Sequence, residues 1–244
     1  MATLTGKVAI VTGASRGIGR AIAERLGRDG ATVVATYVAN KDKAEEVVQA
    51  IEADGSTAVA VQVDMRQVAD VRRLFADVTR RYGHIDILVN NAAGTNIFKP
   101  TAELTEDDYD NMFGITRGVY FALQEAARQL ADGGRIVSIS TGGTAMAIAA
   151  GGAYAGSKAA IEQFSKALAK EVGGRGITVN TVSPGVTATD GLVLDHAQVA
   201  EMVARTPLGR LGTPDDVASA VAVLVSDDAR WITGQGTLAT GGMV

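Results

Sequence analysis

Short β-branched runs alternate with longer amphipathic segments along the whole chain, and this alternation constrains the fold more than any single motif does. A strand followed by a helix and another strand re-enters its sheet in parallel, through a right-handed crossover. The runs 7–12, 32–37, 58–63, 85–90, 135–140, 177–182 and 236–239 are expected as strands. Helices are expected over 17–29, 41–54, 67–82, 105–130, around 154–158, and over 214–226. Asn40 is placed to cap the second helix, Gly30 and Gly55 to stop the first two, and Thr105-Glu106-Asp107-Asp108 has the form of a capping box. The pattern predicts an α/β protein: a doubly wound parallel sheet of about seven strands, built as one domain over residues 1–244.

Composition narrows the function. With 47% apolar and 20% charged residues the chain has an ordinary globular balance, and its net charge of −4 gives no basic footprint for nucleic acid. There is no cysteine, the two histidines lie far apart, and no metal site is expected. No apolar run reaches the length of a membrane span and no signal segment opens the chain, so a cytoplasmic protein without membrane contact is expected.

Two short motifs carry chemistry. In Thr12-Gly13-Ala14-Ser15-Arg16-Gly17-Ile18-Gly19 the glycines fall where the first strand turns into the first helix, so backbone N–H groups can approach a pyrophosphate at the helix start. The spacing departs from G-x-G-x-x-G, and alone it is equally compatible with a tight turn. Where an acidic residue would close the second strand to bind a ribose hydroxyl, the chain has Thr36, Tyr37 and Val38. With no carboxylate there and with Arg16 in the turn, NADP(H) is expected over NAD(H); Asn40 and Lys41 could add to that pocket or serve as cap and solvated charge. Further on, Tyr154 and Lys158 are four residues apart and share a helix face. An ammonium about 4 Å from a phenol, at an effective dielectric near 20, would favour the phenolate by roughly 4 kcal/mol and bring it toward the working pH.

With these residues in hand, the chain resembles the short-chain dehydrogenases/reductases over essentially its whole length, in particular ketoreductases similar to 3-oxoacyl-acyl-carrier-protein reductase and to naphthol reductases. The carriers are the glycine turn, Asp64-Met65 after the third strand, Asn90-Asn91-Ala92-Ala93-Gly94, the Tyr154/Lys158 pair, Pro184-Gly185-Val186-Thr187-Ala188-Thr189, Arg210 to Asp216, and the segment from Gly234 to Gly242. The resemblance implies a Rossmann-like fold and hydride transfer between nicotinamide and a carbonyl, with Tyr154 as proton donor. Lys158 would hold the nicotinamide ribose and lower the phenol's pKa. It implies cofactor contacts at Gly13, Ser15, Arg16, Gly17, Ile18, Gly19, Tyr37, Asn40, Asp64, Met65, Asn91, Ala92, Pro184, Gly185, Thr187 and Thr189. It also implies a homotetramer built on the fourth and fifth helices.

Two departures stand out. The family's third catalytic residue, a serine thirteen positions before the tyrosine, is Thr141 here, with Ser140 as candidate if the strand end shifts by one. The asparagine that the family carries on its fourth helix to anchor a water near the lysine is missing: one register puts Ile115 there, the other Thr116. A catalytically weakened NADP-binding module therefore stands as the alternative to a ketoreductase. A cofactor-free lyase on the same fold would need a remodelled turn and an arginine for Lys158, and has neither. The segment 190–213 is expected as a substrate lid, its Leu192, Val193, Leu194, Val199, Met202 and Val203 suiting an apolar ketone or alcohol; His196 and His84 read as surface and structural residues.

Overall fold

The computed structural model describes residues 4–244. Seven strands, β1 (Val8–Val11), β2 (Thr32–Tyr37), β3 (Ala58–Gln62), β4 (Ile87–Asn90), β5 (Arg135–Ile139), β6 (Thr178–Pro184) and β7 (Gly236–Ala239), form one sheet in the order β3-β2-β1-β4-β5-β6-β7. Every pairing is parallel, so all carboxyl ends meet at one edge. The helices are α1 (Gly17–Arg28), α2 (Lys41–Ala53), α3 (Val68–Tyr82), α4 (Glu106–Gln129), α5 (Gly152–Val172), α6 (His196–Arg205) and α7 (Pro214–Val225). The strand order reverses direction between β1 and β4, which opens a crevice at their carboxyl ends, the place where doubly wound sheets take ligands.

Both faces of the sheet are covered, so its central strands are apolar on both sides. In β1, Ala9 and Val11 face a core completed by Ile22 and Leu26 of α1, Val47 and Ile51 of α2, and Val217 and Val221 of α7. Val8 and Ile10 face the opposite core, with Leu74 and Phe75 of α3, Val119 of α4 and Ile161 of α5. That alternation follows from the period-2 pleat, and each such fully buried aliphatic side chain contributes roughly 1.5–3 kcal/mol relative to exposure.

The expected elements are all present, with ends shifted by one or two residues: β4 starts at Ile87 and β6 runs on to Pro184. Thr105 and Asp108 form the capping box at the start of α4, and Thr213 and Asp216 form another at α7. Asn40 makes no side-chain capping bond at α2, contrary to expectation, because its backbone (φ −92°, ψ 75°) lies outside the extended geometry a capping side chain needs. The element not resolved from periodicity is α6 inside the 190–213 segment, closed at its start by reciprocal Asp195 and Gln198 bonds.

Candidate active site

The loops leaving β1, β4, β5 and β6 converge at the carboxyl edge of the sheet. Thr12, the residue after β1, bonds across to the chain leaving β4: its Oγ1 accepts from Asn91 N (2.9 Å) and Ala92 N (3.0 Å). The Asn91 amide donates back to the carbonyls of Thr12 and Gly13, both at 3.0 Å. From β2, Thr36 Oγ1 accepts from Gly13 N at 3.2 Å. The glycine turn is thus held by side chains that need no ligand.

This packing leaves no space for side chains inside the turn. A Cβ on Gly19 would lie 2.2 Å from Gly13 O and 2.3 Å from Asn91 Nδ2, and one on Gly13 would lie 2.8 Å from Ala92 Cα. Gly13 and Gly17 also take positive φ, 64° and 55°. Ser15 and Ile18 are half-buried beside them, and exposed Arg16 stands at the N-cap of α1 without a capping bond. The helix start keeps its backbone donors, has no acid in its first turn, and fits a pyrophosphate. Thr189, in the loop after β6, overlies Gly17, with its Cγ2 3.6 Å from where a Cβ would be.

The other residues expected at the cofactor are found along the same edge of the sheet. Tyr37 ends β2 and is buried, while Asn40 is exposed and Lys41 pairs with Glu45 at 3.2 Å, the solvated-charge role. After β3, the Asp64 carboxylate is gripped by Arg66, which holds its pKa below the usual carboxylate value. Met65 is 1% exposed and its carbonyl fills the space above Gly118 of α4, so a base at this edge would meet Asp64 and Arg66 rather than the thioether. Beyond β6, Gly185 lies against Thr240, and the Thr187 hydroxyl donates to Gly185 O at 3.0 Å.

Thr141 and Tyr154 come together. The Thr141 Oγ1 accepts from Gly143 N at 3.2 Å, fixing one lone pair, and the same hydroxyl lies near enough to the Tyr154 phenol to lower its pKa. Ser140, the first residue beyond β5, donates instead to Glu162 at 2.6 Å. Of the two hydroxyls, that of Thr141 is the one beside the Tyr154 phenol. Burial pushes the Tyr154 phenol above the ordinary tyrosine value, and the neighbouring Thr141 hydroxyl offsets part of that rise. The lowering expected from Lys158 is absent: its Nζ donates to Ile139 O at 3.1 Å. Four-residue spacing brings the two side chains onto one face, but the buried ammonium is bonded to a carbonyl of the sheet rather than to the phenol. Burial lowers Lys158 itself to about 8.

On α4 the register is resolved. Thr116 is buried and its hydroxyl donates to Ser157 O at 3.2 Å, next to Lys158, while Ile115 packs into the core beside it. Both border a cavity of about 20 Å³, room for about one water, which Lys158, Tyr154, Asn96 and Met112 also line. No asparagine side chain comes from α4 to this cavity.

Two residues went unnoticed in the sequence. Phe98 is half-exposed and its ring lies 5.2 Å from that of Tyr154, at the mouth of the site. Glu162 gathers hydroxyls from three segments behind Thr141. The only sequence signal for Glu162 was its place four residues after Lys158 on one helix face. In the 190–213 segment, α6 buries no residue; Leu192, Leu194, Val199, Met202 and Val203 are half-buried, whereas Val193 is 91% exposed and turned away from that apolar face. His196 is exposed, and His84 is tied to Asp86 and Gly6 at the opposite edge. Among the described residues no helix is long and apolar enough to cross a membrane.

Residues 13–244 match the family described as enoyl-(acyl carrier protein) reductase. The chain is 42% identical to a hydroxynaphthalene reductase-like protein of Metarhizium brunneum, over 99% of this chain and 96% of that one. Among solved structures, a short-chain dehydrogenase from Burkholderia cenocepacia in complex with NADP superposes with a TM-score of 0.93 at 43% identity, covering 98% of each chain. The angucycline C-6 ketoreductase LanV with bound NADP superposes with a TM-score of 0.93 at 40% identity, covering 99% of this chain and 97% of that one. Fold, site and similarity agree, and the chain belongs to the short-chain dehydrogenase/reductase family.

Proposed function

We propose that this protein reduces an apolar ketone to a secondary alcohol with NADPH, Tyr154 giving the proton to the carbonyl oxygen. The observation that carries the reading is the convergence of the Tyr154 phenol, the Thr141 hydroxyl and buried Lys158 beside the glycine-lined trough. The nicotinamide, when bound, supplies the hydride. Thr141 orients and polarises the carbonyl, and a raised phenol pKa keeps Tyr154 protonated, the form a reductase needs. Lys158 is placed to hold the ribose. Arg16, Ser15, Ile18 and the three glycines take the phosphates, with Tyr37 and Asn40 near the adenosine ribose, Asp64 beside the base with the Met65 backbone behind it, and Asn91 and Ala92 supporting the central sheet. Pro184, Gly185, Thr187 and Thr189 border the nicotinamide. NADP(H) over NAD(H) is supported by the NADP complexes of the similar structures and by the absence of an acid at Tyr37.

Phe98 at the mouth and the half-buried apolar residues of the 190–213 lid support an apolar substrate, as do relatives named for hydroxynaphthalene reduction and C-6 ketoreduction. A homotetramer packed through α4 and α5 is supported by the exposed Tyr120 ring, which meets Phe164 at 5.0 Å on the outer side of these helices. A single domain and a cytoplasmic location are the remaining parts of the proposal and rest on the sequence. One observation favours the second reading, a module with weakened catalysis: the α4 residues bordering the cavity beside Lys158 are Met112, Ile115 and Thr116, none of them an asparagine. The test is NADPH oxidation against aromatic, aliphatic and acyl ketones, with Tyr154→Phe as control. Turnover lost in Tyr154→Phe with NADPH still bound supports the ketoreductase; wild-type NADPH binding without turnover on any ketone favours the second reading.

A further inference from the structure

Three hydroxyls from three segments converge on one carboxylate oxygen. Glu162 Oε1 accepts from Ser140 Oγ at 2.6 Å, from Thr144 Oγ1 at 2.7 Å and from Ser183 Oγ at 3.2 Å. Glu162 follows Tyr154 by eight residues and Lys158 by four on α5, so all three share one helix face. Each segment it gathers carries part of the site. Ser140 directly precedes Thr141; Thr144 closes the short helical turn that Thr141 caps; Ser183 directly precedes Pro184 and Gly185.

The chemistry of the acceptor matters. A neutral amide oxygen offers two lone pairs and serves three donors poorly, whereas an ionised carboxylate has the charge density to do so. Bonds of 2.6 and 2.7 Å fall in or near the short range of charge-assisted O–H···O⁻ contacts. Thr144 Oγ1 also lies 2.9 Å from Thr141 O, but has one hydrogen to give, and the closer, charged acceptor takes it. Lys158 does not neutralise Glu162, since its Nζ is committed to Ile139 O.

We propose that Glu162 is a positioning residue for the reduction: its ionised carboxylate ties the ends of β5 and β6 and the 142–144 turn to the helix bearing Tyr154 and Lys158, and thereby sets the Thr141 hydroxyl beside the Tyr154 phenol. It touches no reacting atom. The assignment rests on the reading of Tyr154 as proton donor and of Thr141 as its partner.

Glu162→Gln keeps the shape and removes the charge. In crystals of the cofactor-free variant, Ser183 separates from the Ser140–Thr144 segment and the Thr141 hydroxyl leaves the phenol. In solution kcat falls about tenfold, the equivalent of one hydrogen bond. The basic limb of the kcat/KM profile, which follows Tyr154, moves to higher pH as the Thr141 hydroxyl draws away from the phenol. Thr141→Val is the reference and moves the limb the same way. Thr144→Val and Ser140→Ala, each removing one donor, give smaller shifts in that direction and replace the Gln variant if it does not fold. An intact Thr141–Tyr154 contact and an unmoved limb in Glu162→Gln, or in both donor variants, overturn the positioning role while leaving Tyr154 as donor if Thr141→Val still shifts. A limb that Thr141→Val leaves in place removes Thr141 from its role, and Glu162 with it.

Discussion

Lys158 reaches from α5 to β5, where its Nζ donates to the carbonyl oxygen of Ile139 at 3.1 Å, two residues before Thr141. The side chain is buried, and desolvation alone brings its pKa from 10.5 to about 8. One carbonyl partner and no carboxylate is a thin solvation shell for an ammonium, so the cofactor-free protein holds this charge at a cost to its stability.

Lys158→Met therefore stabilises the cofactor-free protein at pH 7. An unfolded lysine keeps its proton to about 10.5 and the folded one only to about 8, so between these values the unfolded chain binds more protons and stability rises with pH. Below pH 8 the penalty is complete, up to about 3 kcal/mol at ~1.4 kcal/mol per pH unit, less the cost of leaving Ile139 O unpaired. Urea unfolding at pH 7 and pH 10 should show the gain shrinking toward the higher pH. A gain independent of pH would mean that packing, not charge, is responsible.

Arg16→Ala is expected to weaken NADPH binding by about ten- to hundredfold, the range of a charged hydrogen bond, and to leave NADH almost unchanged. Fluorescence titration with both cofactors checks it. Equal losses would place the 2′-phosphate elsewhere.

Gly19→Ala should abolish cofactor binding and cost about 1–3 kcal/mol of stability, because its Cβ would sit 2.2 Å from Gly13 O and 2.3 Å from Asn91 Nδ2. Gly6→Ala is the comparison: Gly6, unlike Gly19, has positive φ but nothing within 4 Å of an added Cβ, and its variant should bind NADPH normally. Calorimetry on the two variants separates close approach from backbone conformation.

Ile115→Asn places an amide beside the cavity shared by Lys158 and Thr116. If the path of protons to Tyr154 is limiting, turnover rises by up to about 10²-fold, while stability falls by about 1–3 kcal/mol as apolar packing is lost. Turnover and urea midpoints are the measurements. An unchanged rate would show that Thr116 already holds the water.

The order of elements, the parallel sheet and the two-sided core follow from local pattern: β-branched runs, helical periodicity and caps such as Thr105 and Pro214 act over a few residues. The glycine turn and the Tyr154/Lys158 pair were legible for the same reason, since each is defined within eight residues. Long-range packing decided the rest. Which of Ser140 and Thr141 meets Tyr154 depends on where β5 stops and on its pleat; which of Ile115 and Thr116 faces Lys158 depends on how α4 rotates against α5. The carbonyl that captures Lys158 is nineteen residues earlier in the chain, and the hydroxyls on Glu162 come from positions up to twenty-two residues before it and twenty-one after it. No local pattern encodes such contacts, because a buried charge takes its partners from whatever the fold brings within 3 Å or so, and only the packed sheet fixes what that is.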